Sequence, residues 1–535
     1  MSQLLPNWQE LSLKQQIGQM VVVRASGYLF DHQIRYPVWE VSTPKLKQWL
    51  EELSLGGVIL LGGSAAELSL KTQQLQAWAK IPLLIAADIE EGVGQRFAGA
   101  TWFPPPMSLG EIASNDLSLA QNYATAMGKI TAQEALAVGI NWLLAPVVDV
   151  NNNSDNPVIN IRAFGEHPEV VSSLTSAFIE GAKTYPILTT AKHFPGHGDT
   201  ATDSHLDLPT IPHSDSRLNQ VELLPFQNAI TSQIDSIMTA HLIIPAWDSD
   251  YPATLSEKIL RGKLRQKLEF EGLIVTDALI MGGITKYASL AEIAVMAVAA
   301  GVDILLMPSD PEEAIEAVYQ AVRSGKLSKS LIHQALKRIW QAKQKLLPNS
   351  PNLNQLAQPE ATVTVNSILR DSLQMGSNLP LKPQSEQNLR NLIVVDDVLN
   401  CSFLDLQTPA IAIPQKFGYQ RQIIDQNSLF SAQSDSRSTL LQVFIRGNPF
   451  RGTAGLTKVA QEFYQQLLHS GQLEGLVIYG SPYVKDWFVA QLTNDLPWVF
   501  SYGQMDLAQG MALKILFGLS NSETSNLNNQ SNFGF

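Results

Sequence analysis

The chain has little cysteine and no long apolar run. Of its 535 residues only Cys401 is a cysteine, so no internal disulfide can form. A disulfide-stapled extracellular scaffold is thereby excluded, and a reducing compartment fits. No apolar stretch is long enough to span a bilayer. The N-terminal MSQLLPNWQELSLKQQIGQM places charged and polar residues where a secretory leader needs an apolar segment. On these grounds the protein reads as cytoplasmic, with no membrane span. Charge is also sparse, at 16% of residues, and the net charge is −12 with no basic run. Binding to a phosphate backbone depends on Lys and Arg, so no nucleic-acid partner is expected. No Gly-rich dinucleotide fingerprint follows the first apolar segment.

What the chain does have is length and a 45% hydrophobic content, enough for more than one core. Short apolar runs alternate with longer helical patterns over the first 345 residues. The runs are Val21–Val23, Val58–Leu61, Leu83–Ala87, Trp142–Val148, Ile187–Ala191, Ser236–Ala240, Leu273–Thr276 and Asp303–Met307. Strands buried on both faces look like this, and Asp116–Ala137 and Pro168–Lys183 read as helices between them. About eight such units predict an α/β fold of the TIM-type (β/α)8 barrel class, with a doubly wound open sheet as the alternative. A polar stretch at 346–362, rich in Pro, Asn and Gln, reads as a linker. A smaller α/β domain is expected over 363–519. Its strand candidates are Leu392–Val395, Ala410–Ile413, Leu440–Ile445 and Leu476–Tyr479, with a helix near Leu456–Leu468. Residues 520–535 read as a disordered polar tail.

Polar residues follow the barrel-region runs repeatedly: Arg24, Asp88, Asp149, Lys192 with His193, His241 and Asp277. In a barrel such positions share one mouth, where active sites lie. Each alone could be a satisfied buried group or a helix cap. The segment KHFPGHGDTATDSH, Lys192 to His205, is the most unusual. Its Pro and two Gly exclude a regular helix. A metal site, a self-capping structural loop and a catalytic loop are three readings of it; the catalytic one is preferred, and no metal is expected. Asp203 stands two residues from His205, close enough to orient the imidazole and favour its protonated form, which can then serve as acid and base.

This segment resembles the hallmark of the β-N-acetylglucosaminidases of glycoside hydrolase family 3. LSLKQQIGQM, DIEEGVGQRF from Asp88, TWFPPPMSLG, APVVDVNNNSDNPVINIRAFGEHPE from Ala145, DSIMTAHLIIPAWD and VTDALIMGG are similar to further family segments in the same order. The likeness spans nearly all of residues 10–345 and is faint beyond, at RGNPF and LVIYGSPY. It implies a retaining exo-β-N-acetylglucosaminidase acting on terminal β-linked N-acetylglucosamine of cell-wall or chitin-type oligosaccharides, with peptidoglycan recycling as the setting. Asp277 would be the nucleophile, His205 the acid/base and Asp203 its support. Asp88, Arg96, Arg162, Lys192 and His193 would hold the sugar hydroxyls, Asp149 and His241 would brace the mouth, and no cofactor is implied. Two departures stand out: Glu91 and Val93 replace a Gly and an Arg, and Ala278 replaces a second Asp. A β-glucosidase or phosphorylase of the same family, and a non-catalytic sugar-binding barrel, are the rival readings. The sequence leaves the oligomeric state open.

Overall fold

The computed structural model describes residues 5–200, 208–346, 351–382, 388–426, 428–432, 435–447, 455–492 and 495–519. The chain divides into two compact units, which part between Thr364 and Val365.

Among the described residues of the first unit, eight short strands occur in the order expected. They are β1 (Val21–Ser26), β2 (Gly57–Leu61), β3 (Leu84–Ala87), β4 (Trp142–Leu143), β5 (Thr190–Phe194), β6 (Ser236–Thr239), β7 (Leu273–Val275) and β8 (Leu305–Leu306). One parallel sheet runs β4-β3-β2-β1-β8 and another β5-β6-β7. Isolated parallel bridges, Trp142 with Leu188 and Val275 with Ile304, link the two. Val21, Val22, Val23 and Ala25 are buried, as are all residues of β3 and β5. This is the two-sided burial that continuous apolar runs require.

The expected strand over Trp142–Val148 is shorter than read. Regular pairing ends at Leu143, and only an isolated bridge joins Val147 to Lys192. Pro146 interrupts that stretch and has no N–H to give to a ladder. Helices at Leu117–Ala137 and Pro168–Ala182 lie where expected. The first starts at Asp116, whose side chain accepts the Leu119 N–H, satisfying one of the donors a helix N-terminus leaves free.

The stretch 346–362 holds a short turn of helix at Leu353–Gln355, and a helix begins at Pro359. The second unit has a mixed six-stranded sheet of β9 (Gln374–Met375), β10 (Leu389–Val395), β11 (Tyr419–Asp425), β12 (Ser438–Ile445), β13 (Leu473–Gly480) and β14 (Trp498–Ser501). The order is β11-β10-β12-β13-β14-β9, parallel except for β9 against β14. Ala410–Ile413, read above as a strand, is helical: it lies within the helix Pro409–Lys416. Pro409 sits in the first turn, where a missing N–H costs nothing, and four apolar residues carry too little periodicity to distinguish the two states. The expected helix near Leu456–Leu468 is Lys458–His469. The tail reading for 520–535 lies outside the described residues.

Candidate active site

Strand β5 carries the centre of the site. Lys192 is buried, and its Nζ lies 2.7 Å from Asp88 Oδ1, just beyond β3, and 2.5 Å from Glu90 Oε1. Glu90 also receives both faces of a fork from Arg162: Nε to Oε2 and Nη2 to Oε1, each 2.8 Å. The remaining Arg162 nitrogen, Nη1, donates to the Val158 carbonyl at 2.9 Å. Two cations thus face two carboxylates. Burial alone would push the Glu90 carboxyl up, but the Arg162 and Lys192 charges prevail and hold it well below the usual range. Burial likewise opposes the Lys192 ammonium, and Asp88 and Glu90 overcome it, raising its pKa. Glu90 and Lys192 are therefore held in their charged forms. Arg96 donates from Nε to the Asp88 carbonyl at 3.0 Å and is otherwise exposed.

Beside this cluster sits a second one. Asp149 is wholly buried and accepts from the His193 backbone N–H at 3.1 Å and the His197 backbone N–H at 2.7 Å. Its Oδ2 lies 2.8 Å from His193 Nδ1. Burial pushes the Asp149 carboxyl up, and His193 with His197 outweighs it, so the net shift is downward. The Asp149 contact engages Nδ1 and fixes the orientation of the His193 ring. His197 Nδ1 is 2.8 Å from Thr200 Oγ1. Its burial brings the imidazole pKa down to about 4, although the Asp149 and Asp277 charges act the other way. His197 is accordingly neutral near pH 7.

The loop after β5 needs its glycines. Gly196 has φ +128°, and a Cβ on Gly198 would come within 1.7 Å of the Val150 carbonyl oxygen. Asn156 Nδ2 clamps the loop, donating to the carbonyls of His197 at 2.8 Å and Gly198 at 2.9 Å. Farther along, His213 Nε2 lies 2.7 Å from Asp199 Oδ2. Asp199, His213 and Glu222 offer ligand atoms within 4.8 Å of one another. Arg217 already supplies a cation there, 2.9 Å from Glu222 Oε1 and 3.7 Å from Asp199 Oδ2, so the group forms an ion-pair cluster.

Asp277 lies two residues beyond β7 and is partly exposed. Its N–H donates to Thr239 O at 3.2 Å, and its Oδ1 accepts the Ala278 N–H at 2.7 Å. His241, buried, spans from Thr254 Oγ1 (2.8 Å from Nδ1) to the Ala278 carbonyl (3.2 Å from Nε2), bracing that turn. Asp203 and His205 lie outside the described residues. Asp88, Arg162, Lys192 and His193 fall into one neighbourhood, with Asp277 near enough to act on His197. Glu90 and Asn156 were not singled out in the sequence. The signal for Glu90 was its place two residues after Asp88, on a segment already read as sugar-binding. At the departure from the family pattern, Glu91 is buried and accepts from Trp102 Nε1 at 2.9 Å.

Comparison with known proteins places this arrangement. The chain is 35% identical over 341 residues to beta-hexosaminidase A of Pseudoalteromonas piscicida, covering 58% of this chain and 56% of that protein. It is 39% identical over 282 residues to a beta-hexosaminidase of Idiomarina loihiensis, covering 51% and 82%. Among solved structures, a glycoside hydrolase family 3 beta-N-acetylglucosaminidase from a Paenibacillus species superposes with a TM-score of 0.77 at 27% identity, over 95% of this chain and 97% of that one. Residues 12–342 match the glycosyl hydrolase family 3 N terminal domain, and residues 382–518 the bacterial glycosyl hydrolase family 3 C-terminal domain. With both halves matched in order, the chain belongs to glycosyl hydrolase family 3.

Proposed function

We propose that the chain is a retaining exo-β-N-acetylglucosaminidase that removes terminal β-linked N-acetylglucosamine from cell-wall or chitin-type oligosaccharides. The observation that carries this reading is the charged lattice of Asp88, Glu90, Arg162 and Lys192 beside His193. Sugar hydroxyls both donate and accept, so fixed ions of both signs suit them. The names of the relatives support the same substrate class. The eight strands and their linking bridges support a closed (β/α)8 barrel over residues 1–345, joined by a linker at 346–362 to a domain at 363–519.

In the proposed reaction Asp277 attacks the anomeric carbon while His205, oriented by Asp203, protonates the departing glycosidic oxygen. The C–O bond to the leaving group breaks as the Asp277–carbon bond forms. His205, now neutral, takes a proton from water, which displaces Asp277 and restores the enzyme. No cofactor enters these steps. Most retaining glycosidases hold two carboxylates about 5 Å apart; here a histidine replaces one. A cytoplasmic role in peptidoglycan recycling fits the single cysteine, and no helix among the described residues is long and apolar enough to cross a membrane. Turnover of an aryl N-acetylglucosaminide and an aryl glucoside, measured side by side, tests the reading. The N-acetyl substrate is expected to be strongly preferred. A preference for the glucoside, or no turnover of either, would contradict it.

A further inference from the structure

The chemistry above does not use residues 27–42, the loop between β1 and the helix Thr43–Glu52. It exposes large apolar side chains in a short span: Phe30 at 62%, Tyr36 at 42% and Val38 at 86%. Exposed aromatic rings held in a fixed arrangement offer a surface for contact. The loop is also pinned. Arg24, on β1, lies 2.9 Å (Nε) and 2.8 Å (Nη2) from Oε1 of the buried Glu40. Its guanidinium sits 4.9 Å from the Tyr36 ring centre and 5.2 Å from that of Trp39. The two rings stack on each other, 5.6 Å apart and 17° from parallel. The N–H groups of Trp39 and Glu40 both donate to the Tyr36 carbonyl at 2.9 Å, closing a tight turn.

This ledge leaves the C-terminal end of β1, which lies between β8 and β2 in the sheet whose strand β3 leads to Asp88. The charged lattice is suited to hydroxyls; a pyranose ring also presents a face of C–H groups, which an aromatic surface complements. A rigid ring pair binds such a face at little cost in side-chain entropy. We propose that the Tyr36–Trp39 ledge, pinned by Arg24 and Glu40, is the subsite for the leaving-group sugar. This rests on the glycosidase reading above.

Two substrates separate the proposal from that reading. One is the β-linked disaccharide of N-acetylglucosamine; the other is N-acetylglucosaminyl fluoride, whose leaving group is too small to reach the ledge. Tyr36→Ala is expected to raise KM for the disaccharide about two- to tenfold, the range of one aromatic contact, and to leave the fluoride kinetics unchanged. Tyr36→Phe should keep wild-type values. Val38→Ser alters only an exposed side chain, so it tests the ledge even where Tyr36→Ala lowers the yield of folded protein; a smaller rise confined to the disaccharide is expected. Equal effects on both substrates, or none in either variant, would overturn the subsite. A wild-type enzyme inert toward the fluoride would instead overturn the glycosidase reading itself.

Discussion

Glu90 shows how a single side chain organises the site. Its carboxylate ties Arg162 and Lys192 together, so each cation is held in a fixed position. Glu90→Gln removes a charge while keeping the shape, leaving the buried Lys192 and the partly buried Arg162 underpaired. Charge-assisted hydrogen bonds contribute about 1.5–3 kcal/mol each. A fall of about 10- to 100-fold in kcat/KM is therefore expected, read from initial rates on an aryl N-acetylglucosaminide. Unchanged kinetics would mean that the lattice does not touch substrate. His197 makes a different demand at the same scale. Its folded pKa of about 4 lies below the ordinary 6.5, so the unfolded chain takes up the proton first. The neutral imidazole contributes stability above pH 6.5 that is lost as pH falls toward 4, by about 3 kcal/mol at most. Urea unfolding across that window should show His197→Asn losing less stability on acidification than the wild type. Parallel slopes would contradict the assignment.

At the scale of elements, the loop from Pro195 to Thr200 is held by contacts from another loop. Asn156 donates to two of its carbonyls and accepts the N–H groups of Val158 and Ile159 at 2.9 and 2.8 Å. Asn156→Ala leaves buried carbonyls and N–H groups unmatched, and a destabilisation of about 2–4 kcal/mol in urea unfolding is expected. A loss below about 0.5 kcal/mol would show that water or a neighbour takes over these bonds. Which elements could be read in advance follows from the same physics. Apolar runs such as Val21–Val23 and Ser236–Ala240 announce buried strands, because parallel strands bury both faces. Over Trp142–Val148 regular pairing stops at Leu143, because Pro146 has no N–H to continue it. Ala410–Ile413 reads as a strand in the sequence and is helical in the structure, because a short apolar run fits a helix and a strand equally well. β11, with the sequence YQRQIID, escaped notice: it is an edge strand, partly exposed, and its polar residues hide it.

For the whole molecule, the strand-end residues were legible because the repeating βα pattern tells which end of each strand they occupy. Asp88, Asp149, Lys192, His193 and Asp277 could be gathered on that logic alone. Asn156 could not, and the place of Glu90 two residues after Asp88 only hints at it: their pairings run to partners 41 and 72 residues away in the chain, which no local pattern encodes. The proposed reaction passes through a covalent intermediate at Asp277, which a 5-fluoro N-acetylglucosaminyl fluoride, retaining the 2-acetamido group, would trap. Incubation of the full chain with this reagent, followed by mass mapping of its peptides, gives the most direct test. One label per chain is expected, on the peptide that contains Asp277, with none on an Asp277→Asn variant. A label on another carboxylate, or an undiminished label on the variant, would contradict the account.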